Sequence, residues 1–208
     1  MLAGLLHNSG ISMGTQFRMP LPENPKGFFE EESFRLENDR VLRQSGYTVE
    51  RWEASFRGIS VTAADCARAR AVLARLNQSP NKWGWKDPRT CLTLRLWLTA
   101  LKDLGLLEST KVIVITRDVQ AVARSLCNRG NVECLNQGAA LCKMYNRELT
   151  EALSGKSMTP PVCYVQYERL IQGLDVDRLE SFCSSRLDRS SIDPFLNRSG
   201  QSRGSKPC

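Results

Sequence analysis

Lys111-Val112-Ile113-Val114-Ile115-Thr116-Arg117-Asp118-Val119-Gln120-Ala121-Val122-Ala123-Arg124-Ser125-Leu126 decides the fold. Val112 to Ile115 is a short β-branched apolar run, suited to a strand buried on both faces of a parallel sheet. Arg117 and Asp118 stand where that strand must end. Val119, Val122, Ala123 and Leu126 then recur at helical spacing. Ligands of open α/β sheets bind just beyond the carboxyl ends of strands. Arg117, with Arg124 and Ser125 on the following helix, therefore predicts an anion site, with phosphate as the expected ligand.

Working outward, helical periodicity covers Leu2 to Leu6, Glu30 to Ser45, Thr62 to Asn77, Cys91 to Leu104, Val119 to Asn128, Glu133 to Leu153 and Leu174 to Leu187. Residues 11 to 29 are irregular, interrupted by Pro20, Pro22 and Pro25. Trp83 to Arg89 predicts a short strand running into a loop, and Val162 to Tyr167 predicts a further clear strand. Alternating strands and helices predict an α/β class with a mostly parallel sheet. Only about three strands are visible, few for such a sheet. Residues 1–196 are expected to form one domain and 197–208 a disordered basic tail.

The net charge is +7, with ordinary hydrophobic (41%) and charged (25%) fractions, so the partner is expected to be an anion. The cations are spread among acids without a basic-aromatic ladder, which argues against nucleic acid. No apolar run approaches the ~20 residues of a membrane span. Met1 to His7 is too short, and lacks the basic flank, for a signal peptide. Eight cysteines (66, 91, 127, 134, 142, 163, 183 and 208) include no C-x-x-C pair, and His7 is the single histidine. No metal site is expected. Free thiols in a reducing compartment, and hence a cytoplasmic location, are the expectation.

Three segments can carry chemistry. Arg117 offers a planar fork of donors for phosphate, with Ser125 about two turns into the helix. In Trp85-Lys86-Asp87-Pro88-Arg89, Lys86 supplies a point charge for an anionic leaving group, and Pro88 fixes the exit of the chain. In Asn24-Pro25-Lys26-Gly27-Phe28-Phe29-Glu30-Glu31-Glu32, a carboxylate beside aromatic rings can act as a general base. Each also has a structural reading: a solvated arginine and serine, a surface ion pair, and acids complementing a helix dipole.

Taken in order, these segments resemble the sulfotransferases, which move a sulfuryl group from 3′-phosphoadenosine-5′-phosphosulfate (PAPS) to a hydroxyl or amine. Arg117 and Ser125 have the R-x7-S spacing of the family's 3′-phosphate site. Trp85 to Arg89 is similar to the K-D-P segment of the tyrosylprotein branch. Asn24 to Glu30 resembles the N-P-K-G-[FY]-F-E segment of the bacterial and marine branch. Tyr164 to Leu170 resembles the strand ending Y-E-[DR]-L, and Ile192 to Arg198 the closing I-D-P-x-L-x-R.

The resemblance implies a three-layer α/β/α, P-loop NTPase-like fold. It assigns the 3′-phosphate of PAPS, or of adenosine 3′,5′-bisphosphate, to Arg117 and Ser125. Lys86 is assigned to the cofactor's sulfuryl charge, and Glu30, or in second place Glu31, to the acceptor's proton. Arg89, Trp52 and Phe56 become candidate contacts to the acceptor, a small molecule, glycan or peptide. Residues 46–62 and 128–138 are expected to line its pocket. No metal is required. One departure accompanies the likeness. Met1 to Leu6 matches the helix after the family's R-S-G-T-[ST] loop, so the first strand and the phosphosulfate loop are missing. The expectation is a gap in the sheet and, from a truncated reading frame or in second place a degenerate paralogue, a doubtful activity. The alternatives are a kinase-like phosphotransferase, for which no G-x4-G-K-[ST] loop is present, and a non-catalytic anion-binding module.

Overall fold

The computed structural model describes residues 1–17, 19, 27–155 and 159–192. Helices α1 (Leu2–Asn8), α2 (Glu32–Gln44), α3 (Ala63–Leu76) and α4 (Thr90–Asp103) precede strand β1 (Val112–Thr116). Helices α5 (Val119–Asn128) and α6 (Leu135–Leu153) lead to strand β2 (Val162–Gln166), followed by α7 (Tyr167–Leu170) and α8 (Val176–Cys183).

β1 and β2 pair in parallel, with Val112 opposite Val162 and Thr116 opposite Gln166. Parallel neighbours need a long crossover, which α5 and α6 provide. α5 begins at Asp118, whose side chain accepts from the Ala121 backbone N–H at 2.8 Å. Gly138 lets α6 approach α5. A Cβ there would lie 2.9 Å from the Ala123 Cα.

Alternation along the strands splits the core in two. Ile113, Cys163 and Val165 pack with Leu5, Leu170 and Leu179 on the α1 and α8 side. Val112, Val114 and Val162 pack with Leu94, Leu98 and Leu153 of α4 and α6 on the other. The class is thus mixed α/β, with helices against both faces of a small parallel sheet.

The expected strand at Trp83 to Arg89 is corrected. It is reduced to a single parallel bridge, Ser12 to Trp83, closed by Ser12 N–H to Lys82 O (2.9 Å) and Gly84 N–H to Ser12 O (2.8 Å). Trp85 stacks instead on Phe34 at 4.6 Å, and Trp97 packs against both. Asp87 then enters side-chain bonds that stop the chain from continuing as a strand. Among the described residues the bridge and the β1–β2 ladder are not hydrogen-bonded to each other.

Two lysines tie these separate pieces to one helix end. Lys82 Nζ donates to Cys183 O (3.0 Å), Ser184 O (2.5 Å) and Ser185 Oγ (2.9 Å). Lys111 Nζ donates to Phe182 O at 2.6 Å. All lie at the C-terminus of α8, where carbonyls lack helical partners and cations are favoured.

Several boundaries move. The helix expected from Glu30 starts at Glu32, because Glu31 is extended and its carboxylate is engaged elsewhere. The helix expected from Leu174 to Leu187 spans Val176 to Cys183, ended by Ser184 in the left-handed region at φ +51°. Cys66, Cys91, Cys127, Cys142, Cys163 and Cys183 are free thiols, whereas Cys134 is disulfide-bonded, which corrects the all-thiol expectation. No described helix is long and apolar enough to cross a membrane. Asn24 to Lys26, most of the closing segment (193–198) and the 197–208 tail lie outside the described residues.

Candidate functional site

Two corners carry the candidate residues. The first forms where Trp85 to Arg89 meets the start of α2. Phe29 holds φ +51°, unusual for a bulky residue. Its ring packs against His7 and Phe17, each 5.6 Å away by centroid, and against Gly4, where a Cβ would approach Phe29 Cε2 to 2.9 Å. The next residue, Glu30, is buried, and its Oε1 lies 2.5 Å from Lys86 Nζ. The candidate base and the candidate cation, 56 residues apart in sequence, are thus in direct contact.

Glu31 does something different. Its Oε2 accepts from the backbone N–H groups of Thr15 (2.7 Å) and Gln16 (2.8 Å). Gly14, at φ +120°, has no Cβ because one would collide with that carboxylate. Glu31 is a brace for the 14–16 turn, which leaves Glu30 as the carboxylate facing Lys86.

Behind this pair runs a buried polar chain that sequence reading missed. Asn38 Nδ2 donates to Asp87 Oδ2 (3.2 Å), while Asn38 Oδ1 accepts from Thr93 Oγ1 (2.6 Å) and Trp97 Nε1 (2.8 Å). Asp87 Oδ1 accepts from the Arg89 N–H (2.9 Å) and from Nη1 (3.0 Å). Arg89 Nε donates to Asp39 Oδ1 at 2.6 Å. Burial pulls the Arg89 guanidinium down, but Asp87 and Asp39 outweigh it and hold it above the ordinary arginine value. The neighbouring Cys91 thiol is pushed up to about 11, chiefly by burial. A signal was present: Asn38 sits four residues after Phe34 and three before Val41, on the buried face of α2. Arg89 is therefore bound up with Asp39 and Asp87, and contacts the open cleft beside α2 with what remains of its surface.

The second corner lies at the end of β1. Arg117 lies over the Tyr167 ring, 4.6 Å to the centroid, and its Nε is 3.6 Å from Glu168 Oε1. That Nε is buried and has no hydrogen-bond partner. Such orphans are rare in folded proteins and call for an explanation. No hydrogen bond joins Arg117 to Ser125 among the described residues. Ser125 stands on α5, where its carbonyl accepts from Arg129 Nε at 3.2 Å. Arg124 is half-exposed and 3.9 Å from Asp118, whose carboxylate already caps the helix. The two residues of the R-x7-S spacing are thus not brought into contact.

Trp52, at φ +52°, lines the α2 cleft with Glu32, Arg35, Val49, Glu50 and Arg89. Phe56 does not: it is buried edge-on against Tyr47, 5.3 Å by centroid, in a cluster that also holds Val132. The segment 46–62 therefore contributes its 49–52 turn to the open surface, and Phe56 and Val132 belong to the core. No group of three or more potential metal ligands occurs among the described residues. Searches of protein-family models, curated proteins and solved structures gave no match.

Proposed function

We propose that this chain is a PAPS-dependent sulfotransferase, transferring a sulfuryl group to a hydroxyl or amine acceptor. The observation that carries the reading is the Glu30–Lys86 contact at 2.5 Å. It joins a carboxylate and an ammonium drawn from two of the ordered segments that resemble the family. The orphaned Arg117 Nε supports it, since a phosphate oxygen would supply the missing acceptor. The Tyr167 ring beneath the guanidinium limits its motion and keeps its fork presented.

PAPS, when bound, provides the activated sulfuryl group and a phosphate leaving group. Glu30 accepts the proton of the attacking acceptor as the new S–O or S–N bond forms. Lys86, freed from Glu30 by that protonation, would be available to neutralise the charge left on the 5′-phosphate oxygen when the donor's S–O bond breaks. The neighbouring Asp87 is fixed by Asn38 and Arg89, so Lys86 is carried on a rigid segment. Positioning and charge compensation of this kind dominate related group transfers. Arg117, with Ser125 as the other residue of the spacing, would hold the 3′-phosphate. A P-loop-like, three-layer architecture belongs to this reading and is supported by helices on both faces of a parallel pair.

Titration with adenosine 3′,5′-bisphosphate tests the proposal by calorimetry. Binding is expected for the native chain, weaker binding for adenosine 5′-phosphate, and none measurable for Arg117→Ala. Equal affinity for both nucleotides, or unchanged affinity in the variant, rejects it.

A further inference from the structure

Beside α2 lies a cleft of about 500 Å³, lined by Glu32, Arg35, Val49, Glu50, Trp52 and Arg89. Both segments of the Glu30–Lys86 pair run into it. Glu32 is two residues beyond Glu30, and Arg89 three beyond Lys86. The cleft is thus built from the same two segments, although neither Glu30 nor Lys86 lines it.

The charges in the wall are mutually satisfied. Arg35 is held by Glu32 through Nε (2.7 Å) and Nη2 (2.5 Å), and by Asp39 through Nη1 (2.9 Å). Arg89 is held by Asp39 and Asp87. Glu50 is paired with Arg43 at 3.0 Å. An anionic ligand meets no uncommitted guanidinium here, although the chain as a whole carries +7. Its approach is opposed by Asp39 and Asp87 behind the arginines. A cationic ligand is likewise opposed by the guanidiniums of Arg35 and Arg89 in the wall. A neutral polyol can use the same groups as they stand, donating to carboxylate oxygens and accepting from N–H groups at the rim.

Trp52 supplies the apolar part. Its backbone sits in the left-handed region at φ +52°, held by its N–H to Val49 O at 3.1 Å. Its side chain is half-buried, packed on the Tyr47–Phe56 cluster and otherwise lining the cleft. Strained backbone at a bulky residue is kept only where the surroundings impose it, and such residues gather at binding sites. A half-buried indole in a cleft wall can serve as a stacking platform, and Glu32, Arg35, Glu50 and Arg89 line the same cleft as hydrogen-bonding groups.

We infer that this cleft takes an uncharged glycan, with a sugar ring stacked on Trp52 and its hydroxyls bonded to the Glu32–Arg35 and Arg89 rim. The inference rests on the sulfotransferase reading only in calling that glycan the acceptor; the cleft's ligand chemistry stands on its own groups.

Saturation-transfer NMR and titration against neutral oligosaccharides of glucose, galactose and N-acetylglucosamine test it, without nucleotide present. Sialylated and uronate-containing counterparts and an acidic peptide serve as competitors. At least one neutral oligosaccharide is expected to bind. Trp52→Leu, which keeps apolar packing but removes the ring, should weaken it about tenfold, and Trp52→Phe by much less. Affinity for adenosine 3′,5′-bisphosphate should be unchanged in both variants. Preference for an anionic glycan or the peptide, no binding of any neutral sugar, or equal affinity in Trp52→Leu overturns the inference. Neutral-sugar binding without nucleotide binding rejects the sulfotransferase reading and leaves the cleft's chemistry standing.

Discussion

The two corners that hold the candidate residues are built in opposite ways. Around Asp87 every buried polar group is answered, by Asn38, Thr93, Trp97, Arg89 and Asp39 in turn. Around Arg117 the partners are an aromatic face, a carboxylate at 3.6 Å and one buried nitrogen with nothing to bond. A saturated corner is rigid and contributes to folding. An unsaturated one holds back hydrogen-bonding capacity that a ligand can fill. Stability and binding should therefore be hard to separate near Asp87 and easy to separate near Arg117.

Truncation in the saturated corner gives the largest expected effect. Asn38→Ala removes a buried partner from Asp87, Thr93 and Trp97 together and leaves the Trp97 N–H without its acceptor. It should lower unfolding free energy by about 3 kcal/mol in urea denaturation. A loss under about 1 kcal/mol would mean that the chain of bonds is not a unit.

Next comes Asp65, the buried anchor between α2 and α3. Burial pushes its carboxyl up, but bonds from Thr62, Arg40 and Gln44 outweigh this and hold it far below the usual range. A depressed carboxylate contributes stability that is fully present above its unfolded value, about 3.9, and lost as pH falls through the folded value. Acid titration of the native chain should show a decline below about pH 4 that is shallower in Asp65→Asn. At neutral pH that variant should be less stable by about 1–3 kcal/mol. Parallel acid limbs would remove Asp65 from the account.

The open corner should behave in reverse. Arg117→Met keeps the stem over Tyr167 and should change stability by less than about 1 kcal/mol. It should nonetheless abolish nucleotide binding. The smallest effect belongs to the Glu30–Lys86 contact. Lys86 is 41% exposed, so a double-mutant cycle with Glu30→Gln and Lys86→Met should give a coupling of only about 0.5 kcal/mol. A large coupling would make the pair a structural clamp and weaken its catalytic reading.

Legibility in the sequence followed the range of the forces involved. α5 runs from Val119 to Asn128 as its periodicity predicts, because Asp118 caps it locally. β1 and β2 were readable from β-branched runs. The separate roles of Glu30 and Glu31 were not, since they depend on a turn at Thr15–Gln16 and on a lysine 56 residues away. The Arg117–Tyr167 stack was hidden for a similar reason. It follows from the register, in which Thr116 opposes Gln166 and the next residues stand side by side. The predicted strand at Trp83 lost to aromatic stacking and the Asp87 bonds, neither of which has a period.

The lysine anchors on α8 have a mechanical meaning. Lys82 and Lys111 each open an extended segment, and each is fastened to the same few carbonyls. From that shared end one segment reaches Lys86 four residues on, and the other reaches Arg117 six residues on. Extended chain advances about 3.3 Å per residue, so both cations ride at the far ends of arms some 13 and 20 Å long. Among the described residues no backbone ladder ties one arm to the other along the way. The helix end is a shared anchor from which both positive charges are placed. The span from Lys86 to Arg117 is thus set from one end, by a helix that supplies neither charge.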